Sequence, residues 1–337
     1  MKKIATSWIL SLCCILSASH VSAQVDPHFT QYFAYPLWLN PALAGVMDGD
    51  YRVSANYRNQ WSNIGSGYSS VGASGEFATD KNMNLGLNIM NQTAGNGGYN
   101  YLNAYASFAY TGIRFGSQGY QRLSLGIQAG LLNRRIDPSK LQFGDQWNPV
   151  TGYNPNNPTS EVITNSNYSH FDAGAGAVFY DGDPNKKVNA YIGGSAFHLT
   201  RPDDPFLSES KEKQKLPIRW DIHGGLRIAV SDNISLSPNF LYMRQGGADA
   251  SSVGLYSAIK ANTFTDLFLG CDVRFHDAVA PYVGFRYQNL QLGMNYDIST
   301  TKLGSLAGST HSFEISISFI GRKPRQFPQE NFVCPRL

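Results

Sequence analysis

From residue 51 onward the chain reads as segments of about ten residues in which apolar side chains alternate with small or polar ones. That period of two constrains the fold more than any other feature of the sequence. In Leu123-Ser124-Leu125-Gly126-Ile127-Gln128-Ala129-Gly130-Leu131 the odd positions are apolar and the even ones are Ser, Gly or Gln. Leu290 to Ile298 and Phe313 to Phe319 divide in the same way. Successive side chains of a strand point to opposite faces, so each segment has one greasy face and one polar face. Helical periodicity is nearly absent. Only 15% of the residues are charged, against about a quarter in ordinary soluble domains.

A soluble sandwich alternates too, but three features favour a transmembrane barrel. Aromatics recur near segment ends, at Tyr51 and Tyr57, Tyr99 and Tyr101, and Tyr282 and Tyr287, where interfacial girdles are expected. Strands are predicted over 51–60, 68–78, 82–93, 100–114, 121–133, 168–180, 187–199, 218–230, 233–244, 252–262, 263–275, 280–288, 290–299 and 310–320. That is about 14, and single-chain bacterial barrels have even numbers. The connections also obey parity. Thr79-Asp80-Lys81, Asp181–Lys186, Ser231-Asp232 and Gln288-Asn289 are tight turns after even strands, whereas Arg134–Asn167, Thr200–Pro217 and Thr300–Ser309 all fall on the other side. The sequence thus predicts an all-β protein, a transmembrane antiparallel β-barrel over 51–321.

Parity also sorts the charges. Arg52, Arg58, Glu76, Arg219, Asp221, Arg227, Asp272, Arg274, Arg286, Asp297 and Glu314 share the polar face and are expected in the lumen, since charge against lipid near the midplane costs about 2–4 kcal/mol. Mixed signs suit a narrow or plugged interior better than a wide selective pore.

Ahead of the barrel, Lys2-Lys3, the apolar run Trp8 to Leu16 and Val21-Ser22-Ala23 have the layout of a secretory leader over 1–23, cleaved before Gln24. Leu12 argues against a lipoprotein reading of Cys13 or Cys14. After the leader no stretch of about 18 apolar residues follows, so no membrane helix is expected. Without Lys2 and Lys3, 25 basic residues face 24 acidic ones, which gives no reason to invoke nucleic acid. Cys271 and Cys334 remain. The first alternates with Leu269, Val273 and Phe275 toward lipid and the second stands in the tail, so no bond between them is expected.

Nothing in the sequence assembles a reaction centre. His170, His198, His223, His276 and His311 lack zinc-site spacing, and no serine stands in a nucleophile elbow. Asp145, Asp172, Asp181 and Asp183 read as turn caps rather than calcium ligands. The protein is expected to be no enzyme and to carry no metal or cofactor. An outer-membrane hydrolase is the reading this disfavours.

Two segments break the strand pattern. Residues 24–50 include an aromatic, apolar run from Phe29 to Gly45 in which Pro36 and Pro41 argue against a central strand. It is either an irregular segment packed in the barrel mouth or lumen, or a strip that binds a partner. After the last strand, residues 322–337 form a short tail with Arg322, Lys323 and Arg325 at its start. By parity it lies in the periplasm, as a solvated end or a contact for a periplasmic partner.

Asp26-Pro27-His28-Phe29-Thr30-Gln31-Tyr32, Pro36-Leu37-Trp38-Leu39-Asn40-Pro41-Ala42-Leu43-Ala44-Gly45 and Tyr57-Arg58-Asn59-Gln60-Trp61 resemble the PorP/SprF family of type IX secretion outer-membrane proteins found in Bacteroidetes. Tyr296-Asp297-Ile298, the strand at 312–315 and Cys334-Pro335 are similar to its later elements, although His311-Ser312-Phe313-Glu314-Ile315 is offset from the family's His-Glu-Ile. The resemblance implies a non-enzymatic barrel in the outer membrane bilayer that works with type IX components. Family members serve export or surface attachment of secreted cargo proteins, some linked to gliding, and others associate with periplasmic components. The long loops are expected to hold the cargo while the N-terminal segment and tail face the periplasm. Candidate partner-binding residues, chosen by inspection, are Gln31, Tyr32, Pro36, Leu37, Leu39, Asn40, Pro41, Arg58, Trp61, Arg322, Lys323 and Cys334. The alternative is a passive porin for small solutes.

Overall fold

The computed structural model describes residues 26–63, 67–160, 166–203, 215–301 and 311–323. The leader, the tip of the second long loop at 204–214, and the tail from 324 with Cys334 lie outside the described residues. Fourteen long strands follow one another: β1 (Tyr51–Gln60), β2 (Tyr68–Phe77), β3 (Met83–Ala94), β4 (Tyr99–Phe115), β5 (Gln121–Ile136), β6 (Asn167–Asp181), β7 (Val188–Phe197), β8 (Arg219–Ala229), β9 (Ile234–Gln245), β10 (Ala248–Lys260), β11 (Thr265–Arg274), β12 (Ala278–Tyr287), β13 (Leu290–Ser299) and β14 (His311–Gly321). Each pairs with its sequence neighbours and β14 pairs antiparallel with β1, so the sheet closes. Closure leaves no strand edge unpaired, which a bilayer demands. The expected strands are all present. The largest boundary difference is β10, which begins at Ala248 because Gly246 adopts φ 59° and permits a two-residue turn after β9.

Burial alternates along the strands as the sequence predicts. On β3 and β5, Leu87 and Ile127 are 66% and 61% exposed while Asn88, Ser124 and Gln128 are buried. An apolar exterior on this scale suits lipid rather than water. Three of the expected girdle aromatics are corrected. Tyr101 and Tyr282 are buried in the lumen, and Tyr99 shares the face of Tyr101, two residues away on the same strand. Tyr57 and Tyr287 do point outward.

The connections at 78–82, 116–120, 182–187, 230–233, 261–264 and 288–289 make one rim of short turns. The opposite rim carries the long loops 137–166 and 198–218, beside tight turns at 95–98, 246–247 and 275–277. The first long loop is turn-dense, with 3-10 turns at Pro138–Lys140 and Gly144–Gln146 and a small hairpin whose two-residue strands are Trp147–Asn148 and Gly152–Tyr153.

Residues 26–50 fill the lumen. They form a 3-10 turn (Tyr32–Ala34), one helical turn (Pro36–Leu39) and a second 3-10 turn (Pro41–Leu43). Pro36 and Pro41 open their turns, where no backbone N–H is needed. Phe29, Tyr35, Leu37 and Leu39 are almost wholly buried. The direction of this plug corrects the expectation that the segment faces the periplasm. Asp26 lies at the long-loop rim, its backbone N–H donating to Gln245 Oε1 (2.8 Å), and Asp50 reaches the short-turn rim, its N–H donating to Gly321 O (2.9 Å). A segment that fills the lumen and then enters β1 at the short-turn rim has to begin at the far end.

The wall is glycine at two places where the plug presses closest, against the backbone at Ala42 and against the Asn40 side chain. A Cβ at Gly126 would stand 2.3 Å from Ala42 N, and one at Gly176 2.1 Å from Asn40 Oδ1. Replacing Gly126 by Val should lift the plug from the wall at a cost of about 1–3 kcal/mol and leave the barrel closed. Limited chymotrypsin digestion of the purified protein would then cut between Phe29 and Leu37 faster than in the unaltered chain. Equal rates would show that this contact does not hold the plug.

Candidate functional site in the plugged lumen

An irregular segment exposes backbone groups that its own turns leave unpaired, and in a water-poor interior the wall must satisfy them. The inward side chains do so one by one. Arg58 donates to His28 O (2.7 Å), Arg219 to Trp38 O (2.9 Å), Ser195 to Leu39 O (2.6 Å), Ser124 to Ala42 O (2.6 Å) and Asn84 to Ala44 O (3.2 Å). From the other side, the backbone N–H groups of Thr30 and Gln31 donate to the buried carboxylate of Glu314 (2.7 and 2.9 Å).

The plug's own polar side chains complete the fit. Gln31 donates to Asn295 Oδ1 (2.8 Å) and accepts from Ser316 (2.6 Å), and Tyr32 donates to Asn239 Oδ1 (2.7 Å). Asn40 donates to Gly194 O (3.0 Å), lies 3.2 Å from His223 Nε2, and caps its own turn by accepting from Ala42 N (2.9 Å). Leu37 packs with Ala44 and Ala109. Gln31, Tyr32, Pro36, Leu37, Leu39, Asn40 and Pro41 are therefore gathered in one lumen with Arg58. A partner would reach them only after the segment had left the barrel.

Two charged networks anchor the upper plug. In the first, Arg58 and Arg274 share Asp297 (3.0 and 2.7 Å), Arg58 lies 3.9 Å from Glu314, and Arg274 also holds Asp277 (2.7 Å) and the Thr30 hydroxyl. The β1–β14 register sets Arg58 directly opposite Glu314. In the second, His198 bridges Asp26 (2.5 Å) and Asp172 (2.6 Å), while Arg219 reaches Asp26 (3.2 Å) and Asp221 (3.1 Å). Arg219 is sandwiched between the rings of Trp38 and Phe197, at 4.2 and 4.0 Å, a cation–π arrangement that favours arginine. His198 sits in the left-handed region at φ 58°, a conformation that persists where its surroundings over-determine it.

This second network was not visible in the sequence. Asp26 and His198 are 172 positions apart, no motif joins them, and Asp172 reads as a turn cap. The structure corrects that reading: Asp172 is an inward residue of β6 and also accepts from Tyr105 (2.6 Å). Asp181 and Asp183 do cap turns, accepting from the backbone N–H groups of Asp183 and Asn185, whereas Asp145 accepts from the N–H of Ser160, fifteen residues on, and clips the first long loop rather than capping a turn.

The remaining candidates lie at the rims. Trp61 is at the long-loop rim, with φ 57° and its N–H donating to Ser312 (3.2 Å). At the short-turn rim Arg322 pairs with Asp48 (2.6 Å), the Lys323 N–H donates to Asp50 (2.7 Å), and its ammonium lies 3.9 Å from the Phe77 ring centre. The plug leaves a cavity of about 320 Å³ toward the short-turn rim and one of about 290 Å³ toward the long-loop rim.

Burial pulls the His198 imidazolium down, but the Asp26 and Asp172 carboxylates outweigh it and push its pKa up to about 9. For Asp26, burial raises the carboxyl while His198 and Arg219 hold it well below the usual carboxylate range. A raised histidine stabilises the folded form fully below its ordinary value of about 6.5 and loses that contribution as pH climbs through about 9. Chymotryptic cleavage of the plug should accordingly quicken between pH 7 and pH 10, and His198→Gln should flatten that dependence. A wild-type rate that parallels the enzyme's own pH profile would count against the latch.

The sequence matches the family model described as "Type IX secretion system membrane protein PorP/SprF" over residues 21–319. No curated protein matches it. Among solved structures it is similar to the CymD monoaromatic hydrocarbon channel, at 10% identity and a TM-score of 0.48 over 86% of this chain and 93% of that one. The P. putida toluene transporter TodX is similar at 9% identity and a TM-score of 0.46, over 85% and 93%. The KdgM porin follows at 5% and 0.38, over 80% and 98%. These likenesses are too remote to bear on what this barrel binds or passes. The family match is of another kind, since it runs from before the plug through thirteen complete strands and most of the fourteenth: the chain belongs to the PorP/SprF family of type IX secretion system membrane proteins.

Proposed function

We propose that the protein is a non-enzymatic outer-membrane component of the type IX machinery that holds an exported cargo protein at its long-loop rim. The observation that carries this reading is the filled lumen. A barrel whose interior is hydrogen-bonded to its own N-terminal segment has surfaces to offer at its rims rather than a passage to offer through its centre. Family membership supplies the machinery. On this reading the leader is cleaved after Ala23, loops 134–167 and 200–217 face the cell surface, and the short-turn rim with Arg322, Lys323 and the tail meets periplasmic secretion components. The second reading, a passive channel for small solutes, draws on the cavities at the two rims and requires the plug to leave.

Affinity purification of the tagged protein from native outer membranes, with mass spectrometry of what accompanies it, separates the two. Co-recovery of an exported surface protein or of type IX components is the expected result, together with no steady conductance in planar bilayers. A protein that comes out alone and conducts ions would put the channel reading first.

A further inference from the structure

Closure of the sheet stops short of the long-loop rim at one place. β6 pairs with β5 from Asn167 to Asp181, but with β7 only from Ala175 to Tyr180. Beyond Phe197 the chain leaves the ladder at His198, whose φ is 58°, so the upper part of β6 has one neighbour instead of two. In an antiparallel ladder alternate residues bond to opposite sides. The Ile136 N–H donates to Ser166 O (2.8 Å), which turns the even-numbered residues of this stretch toward β5 and the odd-numbered ones toward the open edge. Two odd carbonyls are taken, Ala173 O by the Leu199 N–H (3.0 Å) and Phe171 O by the Thr200 hydroxyl (3.1 Å). Above them the N–H of Phe171 and both backbone groups of Ser169 and Asn167 meet no partner among the described residues.

This edge stands clear of the hydrocarbon. On the outer face of the β5–β6 ribbon Leu131 and Phe171, 61% and 60% exposed, are the last apolar side chains. Past them the face is polar, with Asn133 donating to Asn167 Oδ1 and Ser169 Oγ (both 2.7 Å), as a barrel wall is above its apolar band. The described part of the second long loop covers a different surface. Its Leu216 packs on Leu132 and Tyr101 at the inner face, with the Leu216 N–H donating to Pro202 O (2.8 Å). Exposed strand edges are normally blunted by charge, proline or a covering element. Asn167-Tyr168-Ser169-His170-Phe171 contains neither proline nor lysine, so its unpaired groups form a template for another strand.

We propose that an extended segment of the exported protein adds to this edge as an antiparallel strand along Asn167–Phe171, in the column that β7 leaves empty. The identity of the partner rests on the cargo reading above; the edge rests on the backbone geometry. A second copy of this chain fits less well, because in the same membrane it stands the same way up and offers its β6 only in parallel, the weaker pairing.

Two measurements on the full-length protein test this. In the protein purified free of companions, hydrogen exchange read residue by residue should be fast at the amides of Asn167, Ser169 and Phe171 and about tenfold slower at Tyr168 and His170, which are bonded to β5. Protection of all five would show the edge already covered and overturns the proposal. Ser169→Pro removes an edge N–H and leaves the β5 ladder whole, whereas Ser169→Ala keeps the N–H. Recovery of the exported protein from native outer membranes should fall about tenfold in the proline variant, the worth of one lost hydrogen bond. It should hold in the alanine variant, with heat-modifiable migration showing both barrels intact. Equal recovery in the two variants overturns the edge and leaves the cargo reading standing. Failure of the unaltered protein to bring down any exported protein removes the cargo reading and the proposed partner with it. Co-recovery of an untagged copy of this chain that is lost in Ser169→Pro would assign the edge to self-pairing and overturn the proposal.

Discussion

An irregular peptide segment can lie inside a membrane barrel only if the wall takes over its backbone hydrogen bonds, and that requirement organises the rest of this structure. A helix would satisfy itself, but Pro36 and Pro41 restrict residues 26–50 to single turns. The inward face therefore carries Ser124, Ser195, Asn84 and Arg219 at the heights where plug carbonyls arrive. Where the plug comes closest, the wall gives way to glycine, at Gly126 under the Ala42 backbone and at Gly176 under the Asn40 side chain. The polar half of the strand alternation thus does more than avoid lipid. It is a template for one particular segment.

Charge serves the same end through specificity. Buried ion pairs repay their desolvation only with good geometry and further hydrogen bonds, and they are weak evidence for stability. Here each network joins the plug to several strands at once. Arg58 on β1 meets Asp297 on β13 and the plug carbonyl of His28, while His198 after β7 meets Asp172 on β6 and Asp26 of the plug. A plug shifted by one residue would leave these groups buried and unpaired, at about 3–5 kcal/mol for each broken pair. Such a penalty selects one register of the plug among many apolar alternatives.

Strand existence was legible because it is a local property. Leu123 to Leu131 shows its two faces without any knowledge of its neighbours, and parity along the same strands put Arg58, Asp272 and Glu314 in the lumen correctly. Pro36 and Pro41 told that the N-terminal run is no strand. They did not tell which way it threads, because direction depends on the meeting of Asp26 with His198 and Gln245 across the barrel. The girdle reading of Tyr101 and Tyr282 failed for a related reason. An aromatic near a strand end serves equally against lipid headgroups or against a plug, and Tyr282 packs on Phe33 and Tyr256. Asp172 already lies within the strand predicted over 168–180, whose alternation turns it inward; the turn-cap reading weighs its polar neighbours and not that strand, and the structure shows the strand to be decisive.

The threading direction links the two rims in a way that a plug inserted from the short-turn side would not. The first described residues, Asp26 to Thr30, form part of the cavity wall at the long-loop rim, and the same chain runs uninterrupted to Asp50, which holds Lys323 at the other. A group bound between Trp61 and Phe29 touches the barrel and the plug together, so its binding free energy depends on the plug being seated. By reciprocity it must favour the seated plug by the same factor. The segment between is a series of single turns whose own backbone hydrogen bonds do not join into a continuous helix, so its course from rim to rim is set by the wall. Occupancy at one rim would thereby be coupled through plug retention to the contacts of Asp48 and Asp50 at the other, without any deformation of the barrel.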